Sequence, residues 1–351
     1  MQPTGETMRA IIWEGVGRVS VQRRPVPQPG PHQALVEIIT NGLCSSDYPI
    51  VEGQVEGSFP GMILGHEPVG RVIALGWPGG SGTTFPALGQ RVALDTMIAC
   101  GKCRFCKEGH PEHCMASTEI GFSADGCFSD YAVFPAENLH VLPDSISDLE
   151  GTMIEALTCQ LGAVDALDIK FGESVAIIGS GLATLTFVQL ARLKGAGKIG
   201  VSMKNLPERA KLAEKLGADL VVTTGPQGLH GLPQARADDG YDVTIDAIGV
   251  QDAALAALEL ARRGGKVLLY GLANAVIDHF PVGMVIFRNL TLYGRTSAPR
   301  MWEPAIDLLN RRALQLEQFI GAVVTLEEIP DLLVNRTRHP RMLKRVVRVQ
   351  S

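Results

Sequence analysis

The sequence has no excess of positive charge. Its 32 Lys and Arg stand against 37 Asp and Glu, a net charge of −5. That balance argues against nucleic acid as a main partner, because phosphate binding needs a clustered cationic surface. One basic stretch, residues 336–348, is local and reads as a solvated face. A leader is also missing from the pattern: residues 1–7 are polar, and Arg9 leads straight into a strand-like run rather than an apolar core with a cleavage site. The one long uncharged stretch, 174–191, is broken by glycines, threonines and Gln189. It fits a buried strand, turn and helix better than a membrane span. Seven cysteines, an odd number, do not suggest a disulfide framework and suit a reduced, cytoplasmic protein with metal thiolates. Aromatic residues make up only 5% of the chain, which leaves Tyr48, Phe59 and Phe122 as candidates for pocket walls. No internal repeat or low-complexity tract is present.

What the chain does have is length and two textures. At 351 residues it exceeds the size at which one core keeps growing, so two domains are expected. From Arg9 to about Glu150 short β-type runs (10–13, 34–39, 70–75, 90–94) are broken by Gly and Pro. From about Gly172 strand-like runs (174–178, 198–202, 220–223, 241–245, 265–270) alternate with helix-length stretches such as 207–216 and 252–262. Such repetition predicts an α/β unit with a parallel sheet covered on both faces. A further strand at 290–294, a helix at 304–311 and β-like material at the end are expected to return to the first domain and close a cleft. The predicted division is 1–152, 153–290 and 291–351. The Pro- and Gly-rich run 77–86 reads as an exposed insertion.

Four cysteines, Cys100, Cys103, Cys106 and Cys114, follow one another as C-x2-C-x2-C-x7-C. Four thiolates around one zinc leave no open coordination position, so this group predicts a structural metal. A second set is scattered. Cys44 offers a thiolate, His66 a neutral nitrogen, and Glu67 or Glu155 a carboxylate, leaving one position for water or an alcohol oxygen. Zinc held there would lower the pKa of an alcohol and polarise the product carbonyl, so that hydride can leave the carbon bearing the oxygen.

Residues Gly179-Ser180-Gly181-Leu182-Ala183-Thr184 come directly after a predicted strand and open a predicted helix. Gly179 permits a tight turn, Gly181 lets the backbone approach a pyrophosphate, and the helix N-terminus offers unpaired N–H groups to that anion. The third position is Thr184 rather than Gly or Ala. An NAD site would place an acid about 20 residues on, at the end of the second strand. Lys204 stands there instead, with Arg209 in the same segment. A cation suits a 2′-phosphate, so the balance leans toward NADP over NAD.

The motifs Gly42-Leu-Cys44-Ser-Ser46-Asp47, Gly65-His66-Glu67-Pro-Val-Gly70, the four-cysteine lobe, and Ile154-Glu155-Ala-Leu-Thr-Cys159 before the glycine loop occur in an order that resembles the zinc-dependent medium-chain dehydrogenases, most of all the sorbitol and threonine dehydrogenase branch. The resemblance implies a GroES-like β-rich catalytic domain joined to a Rossmann doubly wound domain, with one catalytic and one structural zinc. It implies Cys44, His66 and Glu155 as neighbours of the catalytic zinc, Glu155 acting through a water in some members and Glu67 able to exchange onto the metal. Ser46 matches a hydroxyl that relays the alcohol proton, and Asp47 a residue that orients a ligand or braces the loop. The implied activity is interconversion of a secondary alcohol, such as a polyol or cyclitol, and its ketone with a nicotinamide cofactor, in a homodimer or homotetramer. An NADPH-dependent carbonyl reductase and a non-catalytic homologue keeping only the structural zinc are the alternatives. Ser45 replaces the usual glycine after the ligand cysteine, Ala156 replaces a proline, and the aspartate at the end of the second strand is absent. Cys159 is assigned to packing.

Overall fold

The computed structural model describes residues 6–76, 85–224, 229, 231–233, 239–272, 276–335 and 343–350. The chain divides into two compact units, one formed by Met1–Thr158 with Pro299–Ser351 and the other by Cys159–Ala298. Residues 77–84 of the insertion expected at 77–86, and residues 336–342 of the basic stretch, lie outside the described residues. Among the described residues, no helix is long and apolar enough to cross a membrane.

The first unit is β-rich. In chain order it holds β1 (Thr7–Gly15), β2 (Arg18–Pro25), β3 (Gln33–Leu43), the short helix α1 (Asp47–Val51), β4 (Pro68–Leu75), β5 (Arg91–Leu94), β6 (Met97–Ile98), α2 (Arg104–Lys107), β7 (Thr118–Glu119), β8 (Tyr131–Pro135), β9 (Leu139–Val141), α3 (Asp148–Gly151) and the start of α4 (Ile154–Leu167). The second unit follows with β10 (Ser174–Ile178), α5 (Leu182–Leu193), β11 (Lys198–Lys204), α6 (Pro207–Lys215), β12 (Leu220–Thr224), β13 (Tyr241–Asp246), α7 (Gln251–Leu260), β14 (Ala261–Leu269), α8 (Val282–Arg288) and β15 (Thr291–Gly294). The chain then re-enters the first unit with α9 (Trp302–Asn310), β16 (Ile320–Thr325), α10 (Ile329–Asn335) and β17 (Lys344–Arg348).

β3 organises the first unit because three strands pair with it. β4 lies along one edge, and β17 and β8 share the other, in a sheet ordered β16-β17-β3-β4-β5-β9. β1 and β2 form a separate hairpin. Inward residues from these strands, Ile11, Val36, Ile38, Val72, Val92, Phe134 and Val347, meet Leu64 and Phe128 in one core. Phe128 is fully buried, and its amide donates to Leu64 O at 2.7 Å, fixing the segment that leads into residues 65–67.

The second unit is a sheet ordered β12-β11-β10-β13-β14-β15, parallel throughout. Every residue of β10 and β13 is buried, as expected of strands covered on both faces. The alanines of α7, Ala253, Ala256 and Ala257, let that helix pack closely against Ala176, Ile178 and Val267. Pro207 begins α6 at a position where its missing N–H costs nothing.

One boundary departs from the sequence pattern. The helix expected at 252–262 ends at Leu260, and β14 starts four residues before the expected strand at 265. The reason is an irregular pairing: Tyr241 lies opposite Ala261, but Val243 lies opposite Lys266, so residues 262–265 bulge out of the ladder. Arg262 ties down the bulge through its Nε, which donates to Asp242 Oδ1 at 2.6 Å. Gly264 takes φ +69° there. Hydrophobic periodicity does not register a bulge whose cause is a glycine and a non-local ion pair.

Because Phe128 both fills the first core and braces residues 64–66, Phe128→Ala should lower unfolding free energy by about 3–5 kcal/mol. Urea denaturation checks this, and a loss below about 1 kcal/mol would contradict the packing described.

Candidate active site and metal centres

Cys44 follows the last residue of β3, and Asp47 opens α1. The short loop between them is closed by Asp47, whose Oδ2 accepts the Cys44 amide at 2.8 Å while its own amide donates to Cys44 O at 3.3 Å. Asp47 is fully buried, and its other oxygen lies 3.2 Å from His66 Nδ1. That contact is a charge pairing without hydrogen-bond alignment, and neither atom has a hydrogen-bond partner. His66 is delivered by Gly65 at φ +93°, where an added Cβ would come within 2.6 Å of the Phe128 ring. The imidazole Nε2 lies 3.1 Å from Ser46 Oγ, and that hydroxyl donates to Cys44 Sγ at 3.0 Å. Burial alone would pull the His66 imidazole down, but the Asp47 carboxylate, and after it Cys44, outweigh it and hold its pKa well above the usual histidine value.

Glu67 points into the same place. Ligand atoms of Cys44, His66 and Glu67 all lie within 4.8 Å of one another. The Glu67 amide donates to Asn41 Oδ1 at 3.0 Å, and Oε1 is buried without a hydrogen-bond partner. Its Oε2 accepts from Lys344 Nζ, with both side chains almost completely buried. β17 runs antiparallel to β3 with Val346 opposite Gly42 and Arg345 opposite Leu43, which brings Lys344 level with Cys44. A Cβ at Gly42 would overlap both the Glu67 carboxylate and the Lys344 side chain, so the pair needs that glycine. Burial lowers the Lys344 pKa, but Glu67 and then Cys44 more than offset this, and the net direction is upward.

The donor set suits a transition cation such as zinc: a thiolate, an imidazole and a carboxylate with one oxygen unpartnered. Glu155 lies in the first turn of α4 and does not join the three within 4.8 Å. Of the candidate pocket walls, Phe122 packs on His66 at a centroid distance of 4.6 Å, Tyr48 packs partly buried against the core, and Phe59 is exposed. Lys344 corrects the reading of 336–348 as a solvated face, since this ammonium is buried on a carboxylate 277 positions earlier in the chain.

The four cysteines converge around α2. Sulfur separations are 3.5 Å for Cys103–Cys106 and 4.0 Å for both Cys100–Cys106 and Cys103–Cys114. A tetrahedron with metal–sulfur bonds of about 2.3 Å has edges of about 3.8 Å, so the cage has the right size for zinc. Backbone amides already point at the sulfurs, from Cys100 to Cys114 Sγ at 3.2 Å and from Cys103 to Cys100 Sγ at 3.4 Å. Neither α2 nor the turn Pro111–His113 buries a residue, so hydrophobic burial cannot order this lobe and a metal can.

The glycine loop joins β10 to α5. A Cβ at Gly179 would overlap Thr184 Oγ1, whereas one at Gly181 would meet nothing within 4 Å. Gly181 thus faces open space at the N-cap of α5. Leu182 and Ala183 form the first turn, and Thr184 is fully buried with its hydroxyl unpartnered. Two cationic residues bracket Ser180. The Lys204 amide donates to Ser180 Oγ at 3.0 Å from the end of β11, and Arg209 reaches from α6 to Ser180 O at 2.7 Å. Open space, free helix amides and cations at the strand end fit a dinucleotide phosphate.

Comparison with known proteins shows the family. Residues 30–144 match the family model described as Alcohol dehydrogenase GroES-like domain, and residues 184–311 match Zinc-binding dehydrogenase. The chain is 30% identical to sorbitol dehydrogenase of Halalkalibacterium halodurans over 92% of its length and 94% of that protein. It is 33% identical to L-threonine 3-dehydrogenase of Pyrococcus horikoshii over 84% and 85% of the two chains. Among solved structures, a zinc-binding dehydrogenase from Sinorhizobium meliloti bound to NADP superposes with a TM-score of 0.89 at 31% identity, covering 98% of this chain and all of that one.

Lys344→Met removes the only charge partner described for Glu67 and leaves its carboxylate buried. It should cost about 3–5 kcal/mol of unfolding free energy. Denaturation of the metal-loaded protein measures this. A cost near that of an exposed ion pair, under about 1 kcal/mol, would contradict the pairing.

Proposed function

This chain belongs to the zinc-binding alcohol dehydrogenase family, and we propose that it oxidises the secondary alcohol of a polyol, cyclitol or similar hydroxylated small molecule to the ketone, with NADP as cofactor and two zincs per chain. The observation that carries this reading is the meeting of Cys44, His66 and Glu67 with Asp47 behind the imidazole. Zinc, when bound there, supplies a Lewis acid that favours the alkoxide form of the alcohol and polarises the carbonyl. The residues around it do the rest. Asp47 places its charge 3.2 Å behind His66 Nδ1, and Nε2 faces Cys44 and Ser46. With Sγ and Nε2 turned to a metal, the Ser46 hydroxyl would be released from both its partners and would accept the substrate O–H at Oγ, taking that proton as it passes its own on toward the cofactor ribose and solvent. As that proton leaves oxygen, hydride leaves the carbinol carbon for the nicotinamide, and the C–O bond becomes a carbonyl. Lys344 holds Glu67 Oε2 and so limits how far this carboxylate can move toward the cation. Glu155 acts through a water rather than as a direct ligand, in keeping with its place outside the close group.

NADP is favoured because Lys204, and not an acid, ends β11, with Arg209 beside it at Ser180. The Sinorhizobium meliloti relative was crystallised with the same cofactor. The polyol assignment draws on the likeness to sorbitol dehydrogenase. A homodimer or homotetramer is supported by β15, which ends the parallel sheet with one edge unpaired among the described strands, beside exposed Ile286 and Phe287 on α8. An odd number of cysteines, four of them grouped as a metal cage, supports a cytoplasmic setting.

Turnover of a panel of polyols, cyclitols and hydroxy acids, followed by reduced-nicotinamide absorbance with each cofactor, tests the reading. Oxidation of at least one secondary alcohol with NADP preferred is the expected result. No turnover in either direction by protein carrying both zincs would refute it, and a strong NAD preference would refute the cofactor assignment. Lys204→Ala should raise KM for NADP on the order of tenfold, the worth of a charge-assisted contact, and leave KM for NAD unchanged. Cys103→Ser should remove one zinc and lower the melting temperature while kcat of the folded fraction stays close to wild type.

A further inference from the structure

One more group of metal-binding side chains comes together within 4.8 Å: His110, Glu112 and His113. They share a single 3₁₀ turn, Pro111–His113, with His110 as its cap. The His113 amide donates to His110 O at 3.0 Å. Side chains three residues apart are eclipsed in such a turn, and the two imidazoles accordingly stack with centroids 6.0 Å apart and planes at 29°. Phe105 braces His113 edge-on at 5.8 Å. The turn is anchored at its end, since Cys114 belongs to the four-cysteine cage and its amide donates to Pro111 O at 2.9 Å.

Glu112 differs from an ordinary surface acid. Its side chain is only 15% exposed. Oε1 accepts from His110 Nδ1 at 3.2 Å and from Arg300 at 3.1 Å, while Oε2 is buried and has no hydrogen-bond partner. A carboxylate oxygen out of water and unpaired is costly, and a cation beside it removes the cost.

We propose that His110, Glu112 and His113 form a further metal site, one that takes a divalent transition cation of borderline softness, with Zn²⁺ as the natural occupant. Two imidazole nitrogens and one carboxylate oxygen are the ligand chemistry of open zinc sites, with the remaining position left to water. Ca²⁺ and Mg²⁺ are poor candidates because they require more oxygen ligands than the turn supplies. His110 and His113 are exposed, so the bound cation exchanges with solvent, unlike one enclosed by four thiolates. Arg300 is the cation's rival, because its guanidinium occupies the same carboxylate. The site is independent of the proposed reaction, and none of its residues takes part in it.

The test is a Zn²⁺ titration by calorimetry of the holoenzyme, its resident metal first quantified and retained through dialysis against a weak chelator. Wild-type protein should bind one equivalent beyond the resident metal. The His110→Gln/His113→Gln double variant should bind none while keeping the same resident content, and Arg300→Ala should bind severalfold tighter. No uptake by the wild type, or equal uptake by the double variant, overturns the site. Unchanged affinity in Arg300→Ala overturns the placement of the cation on Glu112. The wild-type titration can fail by itself, so a double variant that does not fold leaves the proposal open to refutation.

Discussion

The structure turns on a buried charge imbalance at the end of β3. Asp47 and Glu67 place two carboxylates where almost no water reaches, half-buried Cys44 beside them adds a third negative group when it ligates a metal as a thiolate, and Lys344 supplies one positive charge against them. Two negative charges remain. Burial of uncompensated charge is among the largest penalties a fold can incur. A divalent cation held by Cys44 and a neutral His66 would cancel the remainder. Without it, the pull of Asp47 and Cys44 on the His66 proton is the protein's own partial compensation. Metal affinity and protein stability are therefore two aspects of one electrostatic balance.

The surrounding fold serves that balance through backbone geometry. β3 is paired on both edges, so Cys44 leaves it from a fixed point, and the Asp47 turn sets the direction of departure. Gly42 leaves room for the Glu67–Lys344 pair, and Gly65, close against Phe128, leads into His66. The four-cysteine lobe meets a different need. Its helix α2 and the turn Pro111–His113 bury no residue, and a closed metal cage would supply the order that packing does not. In the proposed reading one kind of cation does two jobs, and the number of protein ligands decides which.

Much of this was legible in the sequence because its signals are local. The spacing of Cys100, Cys103, Cys106 and Cys114 is a ligand set within one loop, and the glycine loop is recognisable from the strand before it and the helix after it. The change from short broken β runs to alternating strands and helices likewise foretold a β-rich unit and a parallel sheet. What escaped was non-local. Lys344 lies in a basic stretch that resembles any solvated strand end, and only the pairing of β17 with β3 carries it to Glu67. The bulge at 262–265 depends on Arg262 finding Asp242. Asn41, which holds the Glu67 amide, carries no motif at all. Contacts that arise from tertiary pairing leave no periodicity or spacing to read.

The most direct test of the central claim is anomalous diffraction at the zinc edge from crystals of the protein grown with zinc. The charge balance predicts two strong peaks, one inside the four-cysteine cage and one in contact with Cys44 Sγ and His66 Nε2, with Lys344 still on Glu67. A peak at the cage alone, with Cys44 and His66 turned away from each other, would contradict the account.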